Sequence, residues 1–334
     1  MHCTLLVPDL LPPGLRDAPQ LQLRVPRLAA LLARGTAETS PAAGIEAWLC
    51  ENFGVARQRD WPIAPLTLAA DGGEPAGGYW LRCDPVHFQL NQTRMYLSGS
   101  AGVPSDLESQ ALVAALNAHF HDDGLLFRAG HDGRCYVRDD RHNDLTTHPL
   151  STVTDHDIDA LMPAGTDSGY WRRVLNEIQM ALHEHPVNLE RESRGLPAFN
   201  SVWLWGGGRA PGAGVTSYTS VWTNQALARA LAMNCATPVA ALPPDAATVI
   251  EAGGQPLAVL TAASDAGRDF NAWQTALEQL ERDWFVPCYF ALRQHRLTEL
   301  TIVASGGQHS RRFEISARNL WRYWRRARAL DAYA

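Results

Sequence analysis

The chain has 334 residues, 46% of them hydrophobic and 19% charged, with a formal net charge of −6. That apolar share excludes a disordered chain, and the mild acidity excludes a general affinity for nucleic acid or acidic lipid. The length suits one large domain or two of ordinary size. Lysine is absent, so all 29 basic side chains are arginine, which excludes Schiff-base chemistry and a lysine nucleophile. The six cysteines, Cys3, Cys50, Cys83, Cys135, Cys235 and Cys288, stand singly, with no CxxC or zinc-finger spacing, and read as thiols of a reducing compartment. The opening MHCTLLVPDLLPP has no basic n-region, and no stretch approaches the roughly 20 apolar residues of a membrane span, so the expectation is a cytoplasmic protein.

Cys3 to Val7 reads as a buried strand that ends by presenting the carboxylate of Asp9. A helix over Pro26–Arg34 stops at Gly35, and a second covers Gly44–Asn52. Residues 57–78, rich in Pro and Gly, read as a loop-rich crossing into another unit. Tyr79–Cys83 and Arg94–Leu97 read as strands. Ser105–His121 is a helix with Ser105 as N-cap, Glu108 completing a capping box, and Gly124 past its end. Gly124–Arg128 and Arg134–Arg138 look like paired strands. Trp171–His183 is an amphipathic helix, and Ser201–Trp205 a strand running into Gly206-Gly207-Gly208. A helix over Thr223–Met233, strands at Thr237–Ala241 and Leu257–Thr261, a helix over Asp269–Asp283, a strand at Leu300–Ala304 and an arginine-rich helix over Ala317–Ala329 complete the chain. Strands alternating with helices at both ends predict an α/β fold with a doubly wound, mostly parallel sheet, into which a smaller α+β domain is inserted. The expected boundaries are 1–70 plus 166–334 for the discontinuous core and 71–165 for the insert.

One long stretch carries a resemblance. His185-Pro186-Val187-Asn188, Arg191, Gly195-Leu196-Pro197-Ala198-Phe199-Asn200 and Trp203-Leu204-Trp205-Gly206-Gly207-Gly208 together resemble a segment of the archaeal-type cofactor-independent phosphoglycerate mutases. Shorter matches flank it in order: Pro8-Asp9, Trp80-Leu81-Arg82-Cys83-Asp84, His148-Pro149, Leu161-Met162-Pro163-Ala164-Gly165 and Ser264-Asp265-Ala266-Gly267-Arg268-Asp269. A divergent bacterial, regulatory branch of that family looks closer still. The resemblance implies an alkaline-phosphatase-like core with two divalent metals, Mn²⁺ or Mg²⁺, a serine that is transiently phosphorylated, and an inserted lid domain. In such a site the metals neutralise phosphate charge and help ionise the serine.

The departures from the family fall on this chemistry. Where it carries its nucleophilic serine, this chain reads Pro41-Ala42-Ala43-Gly44, which leaves Ser40 and Thr39 as nearby hydroxyls that would need a shifted register, Ser40 being the candidate nucleophile. The late strand lacks the family's Asp-His pair and keeps only His309. Arg268 stands where a histidine ligand belongs, and a guanidinium repels a metal. The metal ligands left by resemblance are Asp9, Asp265 and His309, with Asp269 in the same motif. Arg82, Arg138, Asn188, Arg191 and Asn200 are expected to form an anionic pocket for a phosphorylated or carboxylated small molecule. His119, His121, Asp122 and Asp123 read as a solvated helix end. Gly206-Gly207-Gly208 lacks nucleotide-binding spacing. These observations favour a non-catalytic binding or regulatory protein, a pseudoenzyme, over an active mutase or metal-dependent phosphoesterase with a site rebuilt around Asp9, Ser40, Asp265 and His309. The C-terminal helix is the expected surface for a protein partner or a homo-oligomer; neither nucleic acid nor membrane is expected as a partner.

Overall fold

The computed structural model describes residues 1–15, 23–41, 44–91, 94–153, 157–267, 269–306, 309–322 and 324–333. In chain order the strands are β1 (His2–Pro8), β2 (Thr36–Pro41), β3 (Trp80–Asn91), β4 (Arg94–Ser98), β5 (Leu126–Ala129) and β6 (Cys135–Arg138). They continue as β7 (Ser201–Gly208), β8 (Ser220–Trp222), β9 (Val239–Ala240), β10 (Pro256–Val259), β11 (Glu299–Ser305) and β12 (His309–Ser316). The chain divides into two compact units, residues 1–54 with 214–334, and residues 55–213. The expected boundaries were 70/71 and 165/166, so the helices and strand of residues 166–208 pack within the second unit and not within the first.

The first unit is built on a seven-stranded sheet of order β2-β12-β11-β1-β10-β8-β9. Strands β11, β1, β10, β8 and β9 run parallel, while β12 is antiparallel to both of its neighbours. Leu5, Leu6 and Val7 of β1 are fully buried, as a central parallel strand covered on both faces requires. Alternate residues Cys3, Leu5 and Val7 point into one core layer with Leu300, Ile302 and Phe313. The helices Pro26–Arg34, Phe270–Leu280 and Val286–Arg293 close that layer with Leu28, Leu31, Trp273, Leu277, Cys288 and Leu292. Between the last two helices lies a π-helical turn, Glu281–Phe285, which turns the Glu281 carboxylate onto the backbone N–H groups of Arg27 and Leu28 at 2.6 and 2.9 Å. Those donors lie in the first turn of Pro26–Arg34, where no residue of the helix itself can accept from them.

The second unit is α+β. Its long strand β3 pairs antiparallel with β6 over Trp80–Arg82 and with β7 over Trp80–Val86, and beyond them with β4 over His87–Asn91. The helices Asp106–His119 and Ser168–His183 pack on this sheet through Leu112, Leu116, Trp171, Val174 and Ile178. The capping box is present: Ser105 Oγ accepts from the Glu108 N–H, and the Glu108 carboxylate accepts from the Ser105 N–H. Gly124 follows in the left-handed conformation.

Several expectations are corrected. Residues 57–78 contain a buried helix, Ile63–Ala70, whose all-apolar surface gives no 3.6-residue contrast to read. β2 and β12 were not expected; Thr36–Pro41 is polar, and it is strand because β12 supplies its pairing. The helix expected over Ala317–Ala329 is a short 3₁₀ turn, Asn319–Trp321, followed by irregular chain. It lacks an apolar stripe, and the side chains of Arg322 and Arg325 bond the carbonyls of Arg34 and Gly35. No helix among the described residues is long and apolar enough to cross a membrane.

A buried clasp ties the second unit together. Asp71, just past the helix Ile63–Ala70, accepts from Arg134 Nε and Nη2 at 3.0 and 2.7 Å and from the Tyr136 hydroxyl at 2.7 Å. Burial opposes ionisation of Asp71, but these donors and the arginine charge outweigh it and hold the carboxyl below its usual value of 3.8. Its stabilisation is therefore complete above that ordinary value and is lost as pH falls through the lowered one. Asp71→Asn is expected to lower Tm at neutral pH and to flatten the fall in Tm on the acid side; melting curves across that range check both.

Candidate functional site

The parallel topology gathers chemistry at one edge of the seven-stranded sheet. β1 ends at Pro8 opposite Ser305 of β11, and the next residue, Asp9, donates its N–H to the Ser305 carbonyl at 2.7 Å. β12 begins at His309, in register with Pro41, and Ser310 faces Ser40, so the ends of β2 and β11 and the start of β12 share this edge. β10 runs parallel to β1 and leads into the short helix Ala262–Asp265 at the same edge.

Asp9 itself is unusual. Its backbone is left-handed, with φ 52°, and its carbonyl accepts from Trp273 Nε1 at 2.8 Å. Its carboxylate is half-buried and has no partner among the described residues, and burial pushes its pKa above the usual value. Gly306, at φ 148°, lies so close that a Cβ there would stand 2.4 Å from Asp9 Oδ1. A ligating side chain at position 306 is thus excluded by contact as well as by sequence. Ser305 Oγ is buried beside it without a partner among the described residues. Asp265 is exposed and accepts from Thr261 Oγ1 at 2.9 Å, while Asp269 is spent as the N-cap of Phe270–Leu280. Arg268 lies outside the described residues, and only the backbone of Ser40 and His309 is described.

Among the described residues no three of His, Cys, Asp and Glu converge as metal ligands. Among the described residues, the oxygen donors at this edge are the partnerless carboxylate of Asp9, the orphaned hydroxyl of Ser305 and the exposed Asp265, which do not fit a pair of divalent cations that draw on several converging hard ligands. No catalytic step is derived through such a pair. Burial disfavours the charged form of Asp9, and an acid of raised pKa favours the fold most below its ordinary value and loses that contribution as pH rises through the raised one. Asp9→Asn is therefore expected to hold or raise Tm at neutral pH, with Mn²⁺ leaving both proteins unchanged. A Mn²⁺-dependent rise in Tm that the variant lacks would identify Asp9 as a metal ligand.

The expected anion-binding residues all fall in the second unit, and each already has a partner there. Arg82 is buried, donates to Asp84 from Nε at 3.0 Å and from Nη2 at 2.7 and 2.8 Å, and lies over the rings of Tyr136 and Trp205. Asp84 also accepts from Trp205 Nε1 at 2.7 Å and the Cys135 N–H at 3.2 Å, so this buried ion pair has its remaining polar atoms satisfied. Arg138 pairs with Asp140. Arg191 donates to Glu108, to the carbonyls of Pro197 and Ala101, and stacks 3.9 Å from the Phe199 ring centroid. Asn188 donates to the carbonyls of Leu182 and Phe199 and accepts from the Phe199 N–H. Asn200 bonds both backbone groups of Phe88. Each of these side chains thus helps to fasten the unit.

The glycines follow the same logic: a Cβ at Gly207 would stand 2.4 Å from the Tyr79 hydroxyl and one at Gly208 2.7 Å from Pro62 Cβ. His121, Asp122 and Asp123 are exposed. Five cysteines are buried, and Cys3 and Cys135 have thiol pKa values pushed up to about 12 by burial. Asn188→Ala would orphan the buried N–H of Phe199 and remove the side-chain donor from its carbonyl, and is expected to cost about 2–3 kcal/mol in denaturant unfolding of the whole chain.

A polar cavity of about 400 Å³ lies in the first unit, lined by His2, Thr4, Trp48, Tyr218, Thr301 and Arg312 among others. Sequence reasoning missed it, because its walls come from distant segments with no shared motif. Arg312 there is paired with Glu314 at 2.7 Å and stands opposite Glu38, and Glu51 also lines the space. That balance of charge does not suit phosphate or carboxylate.

Residues 75–188, all within the second unit, match the family model of 2,3-bisphosphoglycerate-independent phosphoglycerate mutase. The chain is related to the cofactor-independent phosphoglycerate mutases. Among curated relatives, the mutase of Methanosarcina barkeri is 29% identical over 151 residues, covering 44% of this chain and 37% of that protein. A probable mutase of Geobacter sulfurreducens is 27% identical over 121 residues, covering 34% and 28%. The match thus spans little more than a third of these mutases at most. A solved structure of a Pyrococcus horikoshii protein matches 94% of this chain and 87% of its own, with a TM-score of 0.56 at 14% identity, which is a likeness of fold. The fold is a mixed α/β one, with a largely parallel sheet in the first unit and an antiparallel sheet in the second.

Proposed function

We propose that this protein is a divergent, mutase-like binding or regulatory protein in which phosphoryl-transfer chemistry has been lost. The observation that carries this reading is the edge of the seven-stranded sheet. There Asp9 is a carboxylate without a partner among the described residues, set against Gly306, and the segment Pro41-Ala42-Ala43-Gly44 holds no serine where the mutase resemblance calls for a nucleophile. A mutase of the resembling kind draws its rate from an ionised nucleophile and from positive charge at the phosphoryl group. Removing either is costly, since single groups of this sort are worth roughly 3–4 kcal/mol of barrier. The kept segment from His185 to Gly208 does not weigh against the reading, because its polar residues are engaged in packing. Its persistence needs no activity to explain it.

A second reading, an active mutase or phosphoesterase around Asp9, Ser40, Asp265 and His309, draws support from one fact: their backbone positions share the same edge. The two readings part in one experiment. The purified chain is titrated with Mn²⁺ and with Mg²⁺ by calorimetry and assayed with 3-phosphoglycerate in the presence of each. Neither binding heat nor turnover is expected. Turnover that disappears in Asp9→Ala would overturn the non-catalytic reading.

A further inference from the structure

We propose that residues 318–322 and 324–328 form a docking surface for an acidic protein segment that also carries aliphatic side chains. The span contains five arginines and two tryptophans and neither Asp nor Glu, in a chain whose net charge is −6. Trp321 and Trp324 are 68% and 77% exposed, whereas the other nine tryptophans are buried or half-buried. Arg318, Arg325, Arg326 and Arg328 are exposed around them.

The surface is held in place. Leu320 and Leu330, on either side of the exposed tryptophan at 324, are buried in the main core of the first unit. Arg322 Nη1 and Arg325 Nη1 donate to the carbonyls of Arg34 and Gly35, at 3.4 and 3.0 Å, where the helix Pro26–Arg34 leaves its last acceptors open. Two indoles are therefore presented to solvent by a fastened segment.

The chemistry of the surface selects the partner. Tryptophan and arginine are the residues most enriched among those that carry protein–protein binding energy. Guanidinium forks match carboxylates in bidentate geometry. Adjacent indoles need apolar side chains to leave water. The segment is irregular and not an amphipathic helix, which disfavours an in-plane bilayer anchor. The net negative charge of the chain opposes long-range attraction to polyanionic lipid or nucleic acid, while a short acidic peptide meets only the local field. This inference does not rest on the loss of catalysis and holds for an active enzyme equally.

The test uses the full chain and a fluorescein-labelled peptide of alternating glutamate and leucine, read by anisotropy. An all-glutamate peptide, phosphatidylserine vesicles and single-stranded poly-U serve as comparison probes. Binding of the Glu/Leu peptide is expected to exceed that of every other probe. It should fall by about tenfold or more in Arg326→Glu/Arg328→Glu and in Trp321→Ala/Trp324→Ala. The paired variants alter exposed residues, and circular dichroism with unchanged Tm establishes that they remain folded. Equal binding of the all-glutamate peptide would reduce the surface to unspecific charge. Preference for vesicles or RNA would assign it to another class of partner, and no peptide binding, or binding unchanged in both variants, would remove it. Each of these outcomes overturns the proposal.

Discussion

The first unit depends on the parallel pairing of β1 between β10 and β11. Its register joins His2 to Glu299 and Pro8 to Ser305, so the two ends of the chain must meet before the sheet exists. A parallel pair needs a long crossover, and here the crossover carries an entire second unit. Closing so long a loop costs chain entropy, which the apolar central strand offsets through Leu5, Leu6 and Val7, buried on both faces. The same register fixes the site edge: once Pro8 lies opposite Ser305, Asp9 has no position except beside Gly306. Ligands of open parallel sheets gather at this carboxyl end of the strands.

The second unit depends on a different kind of interaction. Buried charges are expensive, and here they persist because each is completely bonded. Asp84 takes three hydrogen bonds from Arg82, one from Trp205 and one from Cys135. Arg191 is divided among Glu108, Pro197, Ala101 and the face of Phe199. Removing one partner from such a network strands the other without solvent. That penalty restrains the residues between His185 and Gly208 whether or not the protein turns over a substrate. A kept motif and a kept activity are therefore separable here: 75–188, the stretch that matches the mutase family model, lies apart in sequence from Asp9, Gly306 and the residues around them.

Much was legible in the sequence where local physics sufficed. The helix Pro26–Arg34 with its stop at Gly35, the capping box of Ser105 and Glu108, the buried strand at Cys3–Val7 and the start of a helix near Asp269 each follow from residues within one turn or one strand. Reading failed where the deciding partner was distant. β2 is a polar hexapeptide that becomes a strand only against β12, and the helix Ile63–Ala70 hides its period because it is apolar on every side. The arginine-rich end looked helical by composition, but two of its arginines cap another helix instead.

By itself, the sequence pointed to a largely parallel α/β sheet and to a mutase-like segment, and it showed which residues stand where that resemblance would call for a nucleophile and metal ligands, because residue identity alone settles which groups can ionise or bind a metal. Only the tertiary structure decided what the surviving polar residues do. Arginine forks read the same in a sequence whether they await a phosphate or are closed on an aspartate, and the difference lies in a partner found by folding. For Arg82 that partner is Asp84, two residues along a strand, and for Arg191 it is Glu108, on a separate helix. For Asp9 no partner is found among the described residues, and its carboxylate faces a glycine whose missing Cβ gives it room.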